Sequence, residues 1–226
     1  MRFVRQTLTI TIKDLRSELR TKEALNASLS FAIVILLLIS FAFDPDSELI
    51  REMAGGLLWI VFAFAGALIL NRSFSRELPN DCLDALVASP VPGSAIFLGK
   101  AFANLILLLA VELLCLPVFG IFYNVRWAEQ APSLLMVILL TTWGLTVIGT
   151  MFSALTVNLR LRELMMPALV YPIMIPCLMA AMQLTTPLVT GQPLAEDLYF
   201  ALRLVITFDV INTALALVLV EVVLVG

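Results

Sequence analysis

The chain contains no histidine among its 226 residues. Histidine is the commonest metal ligand and the usual general base near neutral pH. Its absence excludes haem ligation, metal binding and acid–base catalysis through that side chain. Met, Cys and Tyr stay open as ligand types, but their spacing points to no site. Cysteine is scarce too. Cys82, Cys115 and Cys177 lie far apart and form no CxxC pair, so neither a zinc site nor a redox motif is supported. Cys115 and Cys177 fall inside apolar runs, where a small buried thiol is the plain reading. No GxSxG, HExxH or usefully spaced carboxylate pair occurs. No catalytic residue and no metal ligand is therefore expected. Basic blocks and nucleic-acid motifs are missing as well, so no nucleic-acid partner is expected. Charge is low overall, at 14% of residues, against roughly 25% in soluble domains.

What fills the space is apolar: 61% of the chain. A soluble protein of this length has too little interior for that, and the lipid bilayer is the natural solvent. The first 24 residues are charged and mixed, with no signal-peptide core or cleavage site. A spanning helix needs about 20 apolar residues. Six runs qualify, at about 25–43, 54–70, 101–123, 133–157, 164–184 and 199–225. They are continuous rather than alternating, which favours helices over a barrel. The expected fold is an all-α membrane protein of six transmembrane helices in one permease domain, 1–226.

Lys and Arg set the orientation. Eleven fall before the first span, after the second and after the fourth; Arg51, Arg126 and Arg203 fall opposite. Both termini are therefore expected in the cytoplasm. Residues 1–24 carry Val4, Leu8, Ile12, Leu15 and Leu19 on one helical stripe. Such an amphipathic helix suits the cytoplasmic membrane interface, or it packs against the spans; the interface is the favoured reading.

Three further features are candidates for function. The segment 72–100 is the longest polar stretch, with Asp81 as a plausible N-cap after Leu78-Pro79-Asn80. The short helix that follows would group Leu83, Leu86 and Val87 on one face, before Pro90 and Pro92 end it. It reads equally as a docking element or as a loop helix on the membrane. GSAIFLGK at 93–100 is not a Walker A loop: five residues separate its glycines, and Ala101 stands where Ser or Thr is needed. Any ATP must bind a separate chain. The fifth span contains Pro167, Pro172 and Pro176 beside Tyr171. We expect a kinked or broken helix, either lining a pathway or bent and static. Finally, Glu112 and Asp209 lie within spans, where a carboxyl is costly. They read as a polar pathway or, the preferred alternative, as carboxyls protonated or hydrogen-bonded near Asn104 or Asn212.

The order of elements resembles the ABC-2-type exporter permeases. More narrowly, the chain is similar to the CcmB family, the permease of the cytochrome c maturation system often called the haem exporter. The resemblance rests on KDLRSELRTKEALNASLSF, on LNRSFSRELPNDCLDALVASPVPGSAIFLGK and on VYPIMIPCLMAA. It implies an ABC-2 fold with a cytoplasmic coupling helix. It also implies a bacterial inner-membrane complex of two permease copies with a CcmA-like ATPase that binds ATP. CcmC-like and CcmD-like membrane proteins and a CcmE-like haem chaperone complete the implied set, with haem as the complex's substrate and no cofactor on this chain. By the same resemblance Glu77, Asp81, Leu83, Asp84, Leu86 and Val87 would meet the ATPase. The rival readings are an ABC-2 exporter of a drug, lipid or glycan, and a non-transporting scaffold.

Overall fold

The computed structural model describes residues 2–44, 47–79 and 82–225, and leaves the side chains of residues 87, 197, 224 and 225 undescribed. Eight α-helices follow one another: α1 (Arg2–Thr21), α2 (Glu23–Ala42), α3 (Glu48–Leu70), α4 (Cys82–Val87), α5 (Gly93–Phe122), α6 (Ala131–Thr156), α7 (Arg162–Val189) and α8 (Tyr199–Val225). Six of them, all but α1 and α4, are long and apolar enough to cross a membrane.

Three spans extend beyond their expected bounds. α3 begins at Glu48 rather than residue 54, because Ser47 caps it: its Oγ accepts the Ile50 N–H, and Ile50 is buried. Apolar counting stops at Glu48, Arg51 and Glu52, but a capped helix carries polar residues through its first turns. α5 begins at Gly93, directly after Pro92. Its first two turns were expected to be loop. α7 continues through Pro187 to Val189. It is also an unbroken helix through Pro167, Pro172 and Pro176, which removes the broken alternative of the expected kinked or broken helix. Each proline deletes one backbone bond, and α7 packs on α3, α6 and α8.

α3 and α6 lie at the centre, and α2 and α8 are the least covered. α6 touches α3, α5, α7 and α8. In lipid, helices associate through close packing and interhelical hydrogen bonds rather than apolar burial. Trp59 on α3 donates to Thr185 on α7 at 2.9 Å, and the Tyr123 hydroxyl to the Leu36 carbonyl on α2 at 2.9 Å. The Tyr171 hydroxyl donates to the Ala63 carbonyl at 2.9 Å.

α1 packs against the spans, one of the alternatives considered for it. Thr7, Ile10, Thr11 and Glu18 are buried, on the face that packs along α5. Val4, Leu8, Ile12 and Leu19 of the apolar stripe are exposed and turned away from the bundle. A helix with one face on protein and a second apolar stripe outward fits the membrane interface. The chain then turns from α1 into α2 at Lys22, whose φ is 56°.

Candidate functional site

The end of the bundle that gathers α1, the segment after α3, and the start of α5 holds the densest polar chemistry. After α3 the chain turns through Asn71–Phe74 and a short 3₁₀ turn, Ser75–Glu77. Phe74 is fully buried against Ile10, Ile96, Ala154 and Val157. Anchored there, the turn presents Ser73 and Glu77 to Lys100, about two helical turns into α5. Lys100 is 1% exposed, and its Nζ has three acceptors: the Ser73 carbonyl at 2.9 Å, Glu77 at 3.0 Å and Asp14 of α1 at 3.1 Å. It also sits 5.0 Å above the Phe74 ring. A buried ammonium is tolerable only when it is paired and its donors are satisfied, and here two carboxylates and one carbonyl accept all three.

Around this centre the ion pairs interlock. Lys13 binds both Glu77 and Asp14. Burial pulls the Lys13 ammonium down, but the Asp14 and Glu77 carboxylates outweigh it and hold the group above its ordinary range. Glu18, fully buried, pairs with Arg76 and accepts the Leu25 N–H at 2.9 Å, fixing the α1–α2 corner. Asn104 donates to Ser73 and to Thr150 of α6, both at 2.9 Å. Gly99 lets α1 close onto α5: a Cβ there would stand 2.7 Å from that of Ile10. Through that gap Thr11 donates to the Gly99 carbonyl at 3.0 Å. The turn 71–77, α1 and the base of α5 are thus one hydrogen-bonded body.

α4 hangs from this body, and the structure alters the picture of its faces. Leu83 and Leu86 are half-buried, packed inward on the cluster of Ile10, Phe74, Ile96, Ala154 and Val157. They do not form a free apolar face. Cys82, Asp84 and Ala85 point outward. Glu77 is engaged with Lys13 and Lys100. Asp81 lies outside the described residues, as does the Val87 side chain. Sequence reasoning counted Lys13, Arg76 and Lys100 only as topological charges. The overlooked signal was position: once a helix is begun after Pro92, Lys100 stands well inside it, followed by apolar residues.

The intramembrane carboxyls occupy one layer on opposite sides of α6. Glu112 on α5 is fully buried and accepts from the Thr142 hydroxyl at 2.8 and 2.9 Å. Asp209 on α8 is buried, and among the described residues neither of its carboxyl oxygens has a hydrogen-bond partner. The amides expected to serve them are used elsewhere. Asn104 serves Ser73 and Thr150, and Asn212 donates to the Phe208 carbonyl at 2.9 Å. Helix geometry separates them: Asn104 is two turns from Glu112, and Asn212 bonds back into its own helix.

On α7, Pro172 and Pro176 are exposed on its outer face, and Pro167 is half-buried. Tyr171 meets the Phe64 ring at 6.0 Å between centroids. At the bundle's other end an open cavity of about 490 Å3 is lined by Glu48, Arg51, Glu52 and Arg126 among others.

The model of the family described as CcmB protein matches residues 5–222. The chain belongs to the CcmB family. Relatives described as "Heme exporter protein B" agree. That of Rhodobacter capsulatus is 31% identical over 175 residues, 76% of this chain and 78% of its own. That of Paracoccus denitrificans is 29% identical over 169 residues, 75% and 77% of the two chains. That of Pseudomonas aeruginosa is 31% identical over 159 residues, 70% of each. CcmB membership makes this chain a multi-pass transporter component rather than an enzyme in its own right.

Proposed function

We propose that this chain is the membrane subunit of an ATP-driven complex in c-type cytochrome biogenesis, seated in the bacterial inner membrane with both termini cytoplasmic. A separate CcmA-like ATPase binds the nucleotide. Hydrolysis there drives haem export or the release of a haem-loaded CcmE-like chaperone. CcmC-like and CcmD-like membrane proteins and a second permease copy complete the assembly, and haem is substrate rather than cofactor. Kinship with haem exporter proteins B carries the haem assignment. The buried Lys100 network supports the coupling role. It ties the segment that bears α4 to α1 and α5, and through Asn104 to α6. Leu83 and Leu86 pack α4 on Phe74, beside that network, so a push on α4 has a packed route to the spans.

Complementation tests the whole reading. The native gene is deleted, and covalent haem on c-type cytochromes is scored with and without this chain. Loss on deletion and rescue on return are expected. Normal cytochromes in the deletion strain would leave an exporter of another substrate as the better account. The docking face is tested separately. Asp84→Lys with Ala85→Arg alters only outward side chains of α4, so membrane accumulation should be unchanged while co-purification of the ATPase is lost. Normal ATPase recovery would move the interface off α4.

A further inference from the structure

The charges of α1 are sorted by sign. Along the sequence they are interspersed, but the fold turns both acids inward. Asp14 pairs with Lys100 and Lys13, and the fully buried Glu18 pairs with Arg76. Lys13 is taken up by Asp14 and Glu77. The four arginines of the helix, Arg2, Arg5, Arg16 and Arg20, are exposed. Among the described residues none of the four has an acidic partner.

Consecutive residues of an α-helix are turned by about 100°. Arg5 and Arg16 are separated by about three full turns, so they share one line along α1. Ile12 of the exposed apolar stripe lies beside that line, with Leu8 and Leu19 next to it. Arg20 continues the row one turn after Arg16. α1 thus has three faces in rotation: one packed on α5, the apolar stripe, and a row of arginines along the stripe's border. The stripe sets the depth. With Leu8 and Ile12 in the acyl boundary, the row stands at the level of the lipid phosphates. Gln6, which donates to the Pro90 carbonyl at 3.4 Å, marks the side of α1 next to α4. Arg5 and Arg16 are turned from it by roughly a quarter of a turn, toward the stripe.

Guanidiniums with no acid beside them fit an anionic partner. A zwitterionic headgroup brings its own cation, and α1 has no outward acid to receive it. An anionic phospholipid brings a phosphate that the guanidinium fork binds through two parallel bonds, and a surface potential that attracts each arginine. Its acyl chains cover the stripe that the arginines border, so one ligand satisfies both exposed faces. We propose that the outward side of α1 is a binding surface for anionic phospholipid, with Arg5, Arg16 and Arg20 on the headgroup phosphates and Leu8 and Ile12 along the acyl chains. The opposite side of α1 is bonded to α5 through Thr11 and through Asp14 to Lys100. Lipid bound to α1 therefore holds the Lys100 network at the membrane plane. The proposal does not depend on what the chain transports.

The test is native mass spectrometry of the purified full chain in detergent, titrated with dioleoylphosphatidylglycerol or with dioleoylphosphatidylcholine. The unaltered chain should bind the phosphatidylglycerol more tightly. Each arginine at an anionic surface is worth about fivefold in affinity. Arg5→Gln with Arg16→Gln and Arg20→Gln should therefore remove most of the preference, a loss of up to roughly a hundredfold, and leave phosphatidylcholine binding unchanged. Arg51→Gln with Arg126→Gln, at the other end of the bundle, should keep it. Without added lipid the triple variant should unfold at the same temperature as the unaltered chain, and a lower temperature would show that the row serves the fold instead. Equal affinity for the two lipids, a preference that survives the triple substitution, or one that the Arg51 and Arg126 control also removes would each overturn the proposal. In the whole complex, loss of the ATPase from the triple variant with lipid binding unaltered would overturn it too, and would assign the row to a protein partner.

Discussion

Lys100 and Asp209 are both buried ionisable residues on spanning helices, yet their surroundings are opposite. Lys100 has three oxygen acceptors supplied by two other segments of the chain. Asp209 has none. A charge that the fold satisfies from within is part of the fold, and its removal should be felt as instability. A buried polar group that the fold leaves unserved costs the chain free energy, and its removal should be felt as neutral or stabilising. Glu112, with a single hydroxyl donor, stands between them.

The largest effect should follow from Lys100→Met. Methionine fills similar space but leaves Asp14 and Glu77 with Lys13 alone in a half-buried site. Breaking one partner out of a buried ion cluster costs about 3 kcal/mol. The purified chain in detergent should unfold at a markedly lower temperature, and protease should release α1 from α5 early. If Lys100→Met unfolds like the unaltered chain, the network is ornamental and the coupling argument loses its mechanical link.

How much of this was legible beforehand differs by level. Six spans could be read directly, because bilayer thickness imposes long continuous apolar runs. Helix starts were less legible, since Glu48–Glu52 and GSAIFLGK are polar or broken enough to pass for loop while still folding as first turns. The amphipathic stripe of α1 was visible, but its burial of the other face against α5 was not. Periodicity reports which residues share a face, not what that face meets. The same limit hid the packing of Leu83 and Leu86, which are half-buried on a face that turns toward Phe74. Hydrogen-bond partners were the least legible. Thr142 lies 30 residues from Glu112, and nothing local marks the pair. That Asp209 has no partner follows from three-dimensional placement alone.

Thr142→Val sharpens the middle of the comparison. It removes the donor to Glu112 while nearly preserving shape, and leaves a buried carboxyl unserved. The expected cost is about 1–2 kcal/mol, smaller than for Lys100→Met, read as a lower unfolding temperature in detergent. Thr142→Ser, which restores the hydroxyl, should recover most of it. An unchanged temperature in Thr142→Val would mean that Glu112 is satisfied without that bond.

The smallest effect on the lone chain, with the sign reversed, belongs to Asp209→Leu. No hydrogen bond within the chain is lost, because none is made. Leucine is of similar size, and its neighbours Val210, Ile206 and Leu140 line the same apolar groove. Replacing an unserved buried polar group by an apolar one of similar shape is near neutral or favourable, here by up to about 1 kcal/mol. The isolated chain should therefore unfold at the same temperature or a slightly higher one. A clear loss of stability in the lone chain would show instead that Asp209 serves its own fold, and would place it beside Lys100 rather than against it.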